Sequence, residues 1–299
     1  MSFLCITCDT KRETITISGA FGLYPMAIKW AEEYNKIHPE IRLDISAGGA
    51  GKGMADVLYG NVDIGMLSRD LSPREIEKGA YPISVVRDAV IPTFNSKNPN
   101  LSEVFKHGLT KQEFIDIFIH EKYSTWGQVL KNADETPLHV YTRSDAAGAP
   151  ETWARYLGKK QEDLKGVGVF GDPGLAEAVK NDKNAIGFNN VVYIYDNKTL
   201  KTHPGLEVVP LDLNENDIID STENFYKTLP EIIQAITNRV YPSPPARELF
   251  FVTKDKPNRK AVIDFLHWVL SKGQVYVNAS GYINLTDEII LKERTKIGN

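Results

Sequence analysis

Long hydrophobic runs are missing from this 299-residue chain, and none is long enough to cross a bilayer. An excess of basic charge is missing as well. The 35 Lys and Arg residues stand against 39 Asp and Glu, a net charge of −4, so no basic nucleic-acid footprint is expected. The six histidines are scattered without metal-ligand spacing, and no cofactor motif is present. No G-x-S-x-G elbow, H-E-x-x-H helix or nucleophile–base pairing occurs, which argues against an enzyme. Internal repeats and low-complexity tracts are absent too.

Cysteine is confined to Cys5 and Cys8. A C-x-x-C pair can serve redox or zinc chemistry, but zinc needs further ligands and none lies nearby. Residues 1–11 read instead as a tail left by a trimmed secretory signal, with Cys8 the candidate lipid-anchored cysteine of a bacterial lipoprotein.

What the chain does contain is an ordered alternation of strands and helices. Thr14–Ser18 reads as a strand, and Gly22–Lys36 carries a helical apolar stripe of Leu23, Met26, Ala27, Trp30, Ala31 and Tyr34. A strand at Ile41–Ser46, a helix at Ala50–Tyr59 and a strand at Val62–Met66 follow. This β-α-β-α-β order predicts a parallel sheet whose ligands sit beyond the strand ends. A β-rich run, Tyr81–Asn95, interrupted at Pro92, then leads into a second α/β unit. That unit comprises a helix near Lys111–His120, a strand at Leu138–Thr142, helices at Pro150–Leu157 and Gly174–Lys180, a strand at Ala185–Phe188 and a helical stretch at Glu223–Arg239. The proline-rich Tyr241–Pro245 predicts an extended connector, followed by a returning strand, Arg247–Thr253, and a helix, Arg259–Leu270. The expected fold is therefore two α/β lobes joined by two crossing strands, with residues 12–92 and 246–299 in lobe 1 and 93–245 in lobe 2. A single wide sheet is the alternative.

The most informative stretch is Arg143-Ser-Asp-Ala-Ala-Gly-Ala-Pro-Glu-Thr-Trp153, which leaves a strand and enters a helix. A helix start offers unpaired N–H groups and a favourable dipole to an anion. Arg143 adds a five-donor fork, which Asp145 is placed to lock from behind. Two other small-residue turns enter helices in the same way, Ser18-Gly-Ala-Phe-Gly22 and Ala47-Gly-Gly-Ala-Gly-Lys-Gly53. The candidate ligand-binding residues are Ala20, Phe21, Gly22, Ala50, Gly51, Ser68, Arg69, Arg143, Asp145, Ala147, Gly148 and Ala149. Phe21 is the candidate pocket wall, whereas Tyr24, Trp126 and Trp153 read as core and His139 as a packed strand residue. A hydrogen bond to a charged group contributes roughly 1.5–3 kcal/mol, and micromolar affinity needs about 8 kcal/mol, so such a set suffices for binding.

Taken together, these segments resemble the phosphate-binding protein family of ABC importers, within the two-lobed type II periplasmic binding proteins. The resemblance runs from about Ile15 to Leu285. It rests on Lys29-Trp-Ala-Glu-Glu-Tyr34, Gly49-Ala-Gly-Lys-Gly53, Asn61-Val-Asp-Ile-Gly65 with Ser68-Arg69, Tyr123-Ser-Thr-Trp126, Arg143-x-Asp145-x-x-Gly148, Ala185-Ile-Gly-Phe188, Gly273-Gln-Val-Tyr-Val277 and Gly281-Tyr-Ile283. It implies a monomeric, periplasmic or cell-surface receptor that closes on an inorganic oxyanion, phosphate first, and delivers it to a membrane permease. Where the family pattern has serine or threonine, this chain has Phe21 and Gly22, Ala50, and Ala147-Gly148-Ala149. Ser18, Ser46, Thr142 and Ser144 are the nearby hydroxyls that could compensate. The alternative keeps the fold as a sensory or interaction module, or one taking molybdate, tungstate or a small organic acid.

Overall fold

The computed structural model of the chain describes residues 12–298; the Cys5–Cys8 pair lies outside them. Its strands are β1 (Glu13–Gly19), β2 (Ile41–Ala47), β3 (Ile64–Leu67), β4 (Ala80–Asn95), β5 (His139–Arg143), β6 (Val167–Val169), β7 (Ala185–Asn190), β8 (Leu206–Val208) and β9 (Ala246–Lys254). They hydrogen-bond in the order β2-β1-β3-β9-β4-β7-β5-β6, with β8 paired to β4. β1 runs parallel to both β2 and β3, as the alternation of strand and helix requires.

The 16-residue β4 is the spine of the molecule. Its first half pairs antiparallel with β9 over Ala80–Ala89, and its second half pairs with β7 over Val90–Phe94. Pro92 does not interrupt it: the residue stays in register opposite Phe188 of β7, and its carbonyl accepts from the Val209 N–H. Hydrogen bonding is thus continuous across the whole sheet, as the single-sheet alternative expected, yet the apolar side chains separate into two lobes. One cluster contains Ile15, Trp30, Val86, Leu249 and Phe265, and the other contains Ala89, Phe118, Trp153, Phe188 and Ala246. β4 and β9 each pass from one cluster to the other.

Two local expectations are corrected. Tyr241–Pro245 is a turn, not an extended connector, closed by the Ala246 N–H on the Pro242 carbonyl. The helix expected over Glu223–Arg239 covers only Leu229–Thr237, because Pro230 suits a first turn and Thr228 N–H donates to Glu231 there. Helices at Leu101–His107 and Asp287–Ile297 were not anticipated.

The helix Ala50–Leu58 lies hard against β1 and β3, which aims its N-terminus past the strand ends. A Cβ on Gly53 would meet the Gly19 Cα at 2.7 Å, the Ser18 carbonyl at 2.8 Å and the Met66 carbonyl at 2.9 Å. All three are backbone atoms, so nothing can swing aside. Gly53→Ala is therefore expected to cost about 1–3 kcal/mol or more. Chemical denaturation checks this, with the exposed Lys52→Ala as the unaffected neighbour.

Candidate functional site

β5 delivers Arg143 to the centre of the molecule, where its side chain has no exposed surface. Its Nε and Nη2 donate to the two oxygens of Asp145 at 2.8 and 2.6 Å, the bidentate lock expected of that spacing. Asp145 is itself held by the Gly171 N–H at 3.1 Å, and its backbone carbonyl accepts from Gln161 at 2.7 Å. Burial pushes the Asp145 carboxyl up, but the hydrogen bonds and charge of Arg143 outweigh it, leaving Asp145 below the usual carboxylate range.

Arg143 has a second carboxylate partner that sequence reasoning missed. Nη1 lies 2.8 Å from Oδ2 of Asp172, close enough for an ion pair but without an aligned hydrogen bond. Asp172 sits in the first turn of the helix Gly171–Asn181 and is buried. Burial raises its pKa, against the pull of Arg143. The signal in the sequence was Phe170-Gly-Asp-Pro-Gly174, a further small-residue turn into a helix. Starting the helix at Gly174 left Asp172 outside it.

A polar chain continues from Asp172 into the hinge. Asn190, at the end of β7, donates to Asp172 at 2.7 Å and accepts from Arg247 of β9. Arg247 also donates to Thr152 at 2.8 Å and lies 3.6 Å from Asp88 of β4. Neither Asp88 oxygen has a hydrogen-bond partner among the described residues. These residues come from separate elements and carry no shared motif, so no spacing announced them.

The three small-residue turns meet around Arg143. The Phe21 ring lies over the guanidinium, 5.9 Å from its carbon, and packs edge-on against Phe170. Tyr193 and Tyr282 pin this turn by donating to the carbonyls of Phe21 and Gly22. From the second turn, a Cβ on Gly49 would stand 3.3 Å from Asp145. From the third, a Cβ on Gly148 would collide with the carbonyl and hydroxyl oxygens of Ser68. Ser68 is buried at this contact between the lobes.

Not every expected donor is free. The Ala20 N–H bonds the Met66 carbonyl, and the Ala147 N–H bonds Gln161, so neither can serve a ligand as placed. Among the described residues the N–H groups of Phe21, Gly22, Ala50, Gly51, Gly148 and Ala149 have no protein acceptor. Arg69 is corrected too. It is bidentate to Glu75, at 2.9 and 2.6 Å, and 3.4 Å from Glu151, which keeps it at the rim. Beside it, Arg155 pairs with Asp70 at 2.5 Å, a second ion pair between the lobes. Of the nearby hydroxyls, Ser18 donates to Asp56, Ser46 and Ser144 are exposed, and Thr142 is buried without a partner among the described residues. Trp126 and Trp153 are core, while His139 is not packed but exposed, 2.6 Å from Asp182.

Two α/β lobes on a shared pair of strands, with a charged cluster and helix starts between them, define a two-lobed binding-protein fold. The chain belongs to the PBP superfamily, whose domain model matches residues 7–272. It is 26% identical over 315 residues to phosphate-binding protein PstS of Xylella fastidiosa, covering 94% of this chain and 84% of that protein. Identity to PstS of Methanocaldococcus jannaschii is 25% over 336 residues, covering 94% and 85%. A Clostridium perfringens structure described as a phosphate ABC transporter substrate-binding protein with bound phosphate shares the fold. Its TM-score is 0.75 at 21% identity, over 92% of this chain and 100% of that one. The resemblance expected from the motifs is borne out.

Burial, opposed by Arg247, pushes the Asp88 carboxyl up to about 7. A carboxyl raised in the folded state contributes stability that is fully present below its unfolded pKa and is lost as pH rises towards 7. Asp88→Asn removes the charge and keeps the shape. The variant is expected to gain about 1 kcal/mol or more over the parent at pH 8, with a smaller difference at pH 5. Denaturant midpoints at the two pH values check it.

Proposed function

We propose that this protein is the extracytoplasmic solute-binding receptor of an ABC importer, and that it holds phosphate between its lobes. The observation that carries the reading is that turns with unpaired backbone N–H groups, from both lobes, flank the buried Arg143–Asp145 pair, with Phe21 over the guanidinium and Gly49 beside Asp145. Backbone donors at helix starts suit an anion, and donors from both lobes give the ligand a reason to favour the closed form. In this reading Phe21, Gly22, Ala50 and Gly51 supply lobe 1 donors, Gly148 and Ala149 supply lobe 2 donors, and Ser68 adds its hydroxyl. Arg143 supplies the charge, and Asp145 orients it. Residues 12–92 with 246–299 would move against 93–245 about β4 and β9. The phosphate-binding relatives from Xylella fastidiosa and Methanocaldococcus jannaschii support phosphate as ligand.

The same reading places the protein in the periplasm or at the cell surface as a monomer, with Cys8 as lipid anchor and a membrane permease as partner. Calorimetry with phosphate tests the ligand. Binding accompanied by compaction in small-angle scattering is expected, whereas inertness to millimolar phosphate, arsenate, molybdate and tungstate alike would end the proposal. Gly148→Val supplies the mechanistic control. Its side chain would collide with Ser68 in the arrangement of lobes described here, so phosphate affinity should fall about tenfold or more.

A further inference from the structure

Every edge of the Arg143 guanidinium faces a group belonging to this chain. Asp145 takes Nε and Nη2, Asp172 faces Nη1, and the Phe21 ring covers one side. Asp145 is fastened by backbone and amide donors, so it is the fixed partner. Asp172 differs, because its Oδ2 approaches Nη1 at 2.8 Å without alignment, leaving that nitrogen without an acceptor although Arg143 is only 5% exposed. The wider cluster joins the cations Arg143 and Arg247 to the carboxylates Asp88, Asp145 and Asp172. An added anion therefore meets a guanidinium already faced by two carboxylates, Asp145 and Asp172.

Resting on the reading of the cleft as an oxyanion site, we propose that Asp172 acts there as an internal anion. It faces Nη1, the guanidinium nitrogen that Asp145 leaves open to an incoming oxyanion, and binding displaces it, so Asp172 sets the affinity and penalises more highly charged ligands. Asn190 offers the displaced carboxylate a holding point, since its Nδ2 already donates to the other oxygen, Oδ1, at 2.7 Å. The Phe170-Gly-Asp-Pro-Gly174 turn brings Asp172 to the site, with Gly171 in a left-handed conformation at φ +75° and facing the Phe21 ring. Removing the competing charge should strengthen ligand binding, the opposite of what loss of a ligand contact would do.

The experiment is calorimetric titration with sodium phosphate of the full chain and of Asp172→Asn, at neutral pH and fixed ionic strength. Asparagine keeps an oxygen for Asn190 and presents no charge to Arg143. The variant is expected to bind phosphate about tenfold tighter or more, at unchanged stoichiometry. Equal or weaker binding by a folded Asp172→Asn would overturn the proposal while leaving the phosphate reading intact. Failure of both parent and variant to bind phosphate would remove both. If Asp172→Asn does not fold, Asp172→Ala decides, with tighter binding again supporting the competitor role and equal or weaker binding overturning it.

Discussion

A guanidinium without exposed surface must find its counter-charges inside the protein, because desolvating it uncompensated costs several kcal/mol. Arg143 finds them in Asp145 and Asp172, and much of the architecture between the lobes follows from that requirement. Asp145 needs the Gly171 N–H, so the start of the helix Gly171–Asn181 must reach the end of β5. Asp172 needs Asn190, and Asn190 meets Arg247, which brings β9 and then Asp88 of β4 into the same network. The charge at the centre of the cleft and the strands of the hinge are therefore parts of one electrostatic system. A change of charge at one end should be felt at the other through this chain of ion pairs and hydrogen bonds.

Close backbone approach is the second constraint. Gly53 lets a helix settle on β1 and β3, and Gly148 lets lobe 2 reach Ser68 of lobe 1. The first contact is internal to a lobe, whereas the second exists only between lobes. Both rest on a residue without a Cβ, pressed against backbone in the first case and against the Ser68 carbonyl and hydroxyl in the second. In the proposed reading, a site built from backbone dipoles would tolerate alanine and glycine in place of serine and threonine better than one built from hydroxyls, because the donors stay in place.

The legibility of the site varied with the range of the interaction. The Arg143–Asp145 pair was readable because two residues on a strand and its turn are held at short range by the chain itself. The nearness of Phe21 to the Arg143 guanidinium accords with its position in a small-residue turn. Ala20 and Ala147 were misjudged as donors because their partners, Met66 and Gln161, lie on other elements. Arg69 was misjudged for a related reason: Glu75 is near in sequence, but its bidentate geometry depends on the turn that follows β3. Pro92 looked like a break only because its use of a carbonyl toward Val209 cannot be seen locally.

Periodicity and turn chemistry by themselves determined the order of strands and helices, the parallel start of the sheet and the three turns that open into helices. These depend on neighbours within a few residues, where the covalent chain dictates distance. The tertiary structure alone decided that the sheet is continuous across both lobes, and that Asp172, Asn190, Arg247 and Asp88 join Arg143. Arg247 and Asn190 are 57 positions apart, and only the pairing of β4 with both β7 and β9 brings them into contact. Long-range electrostatics of this kind has no period and no spacing, since it is set by which strands become neighbours.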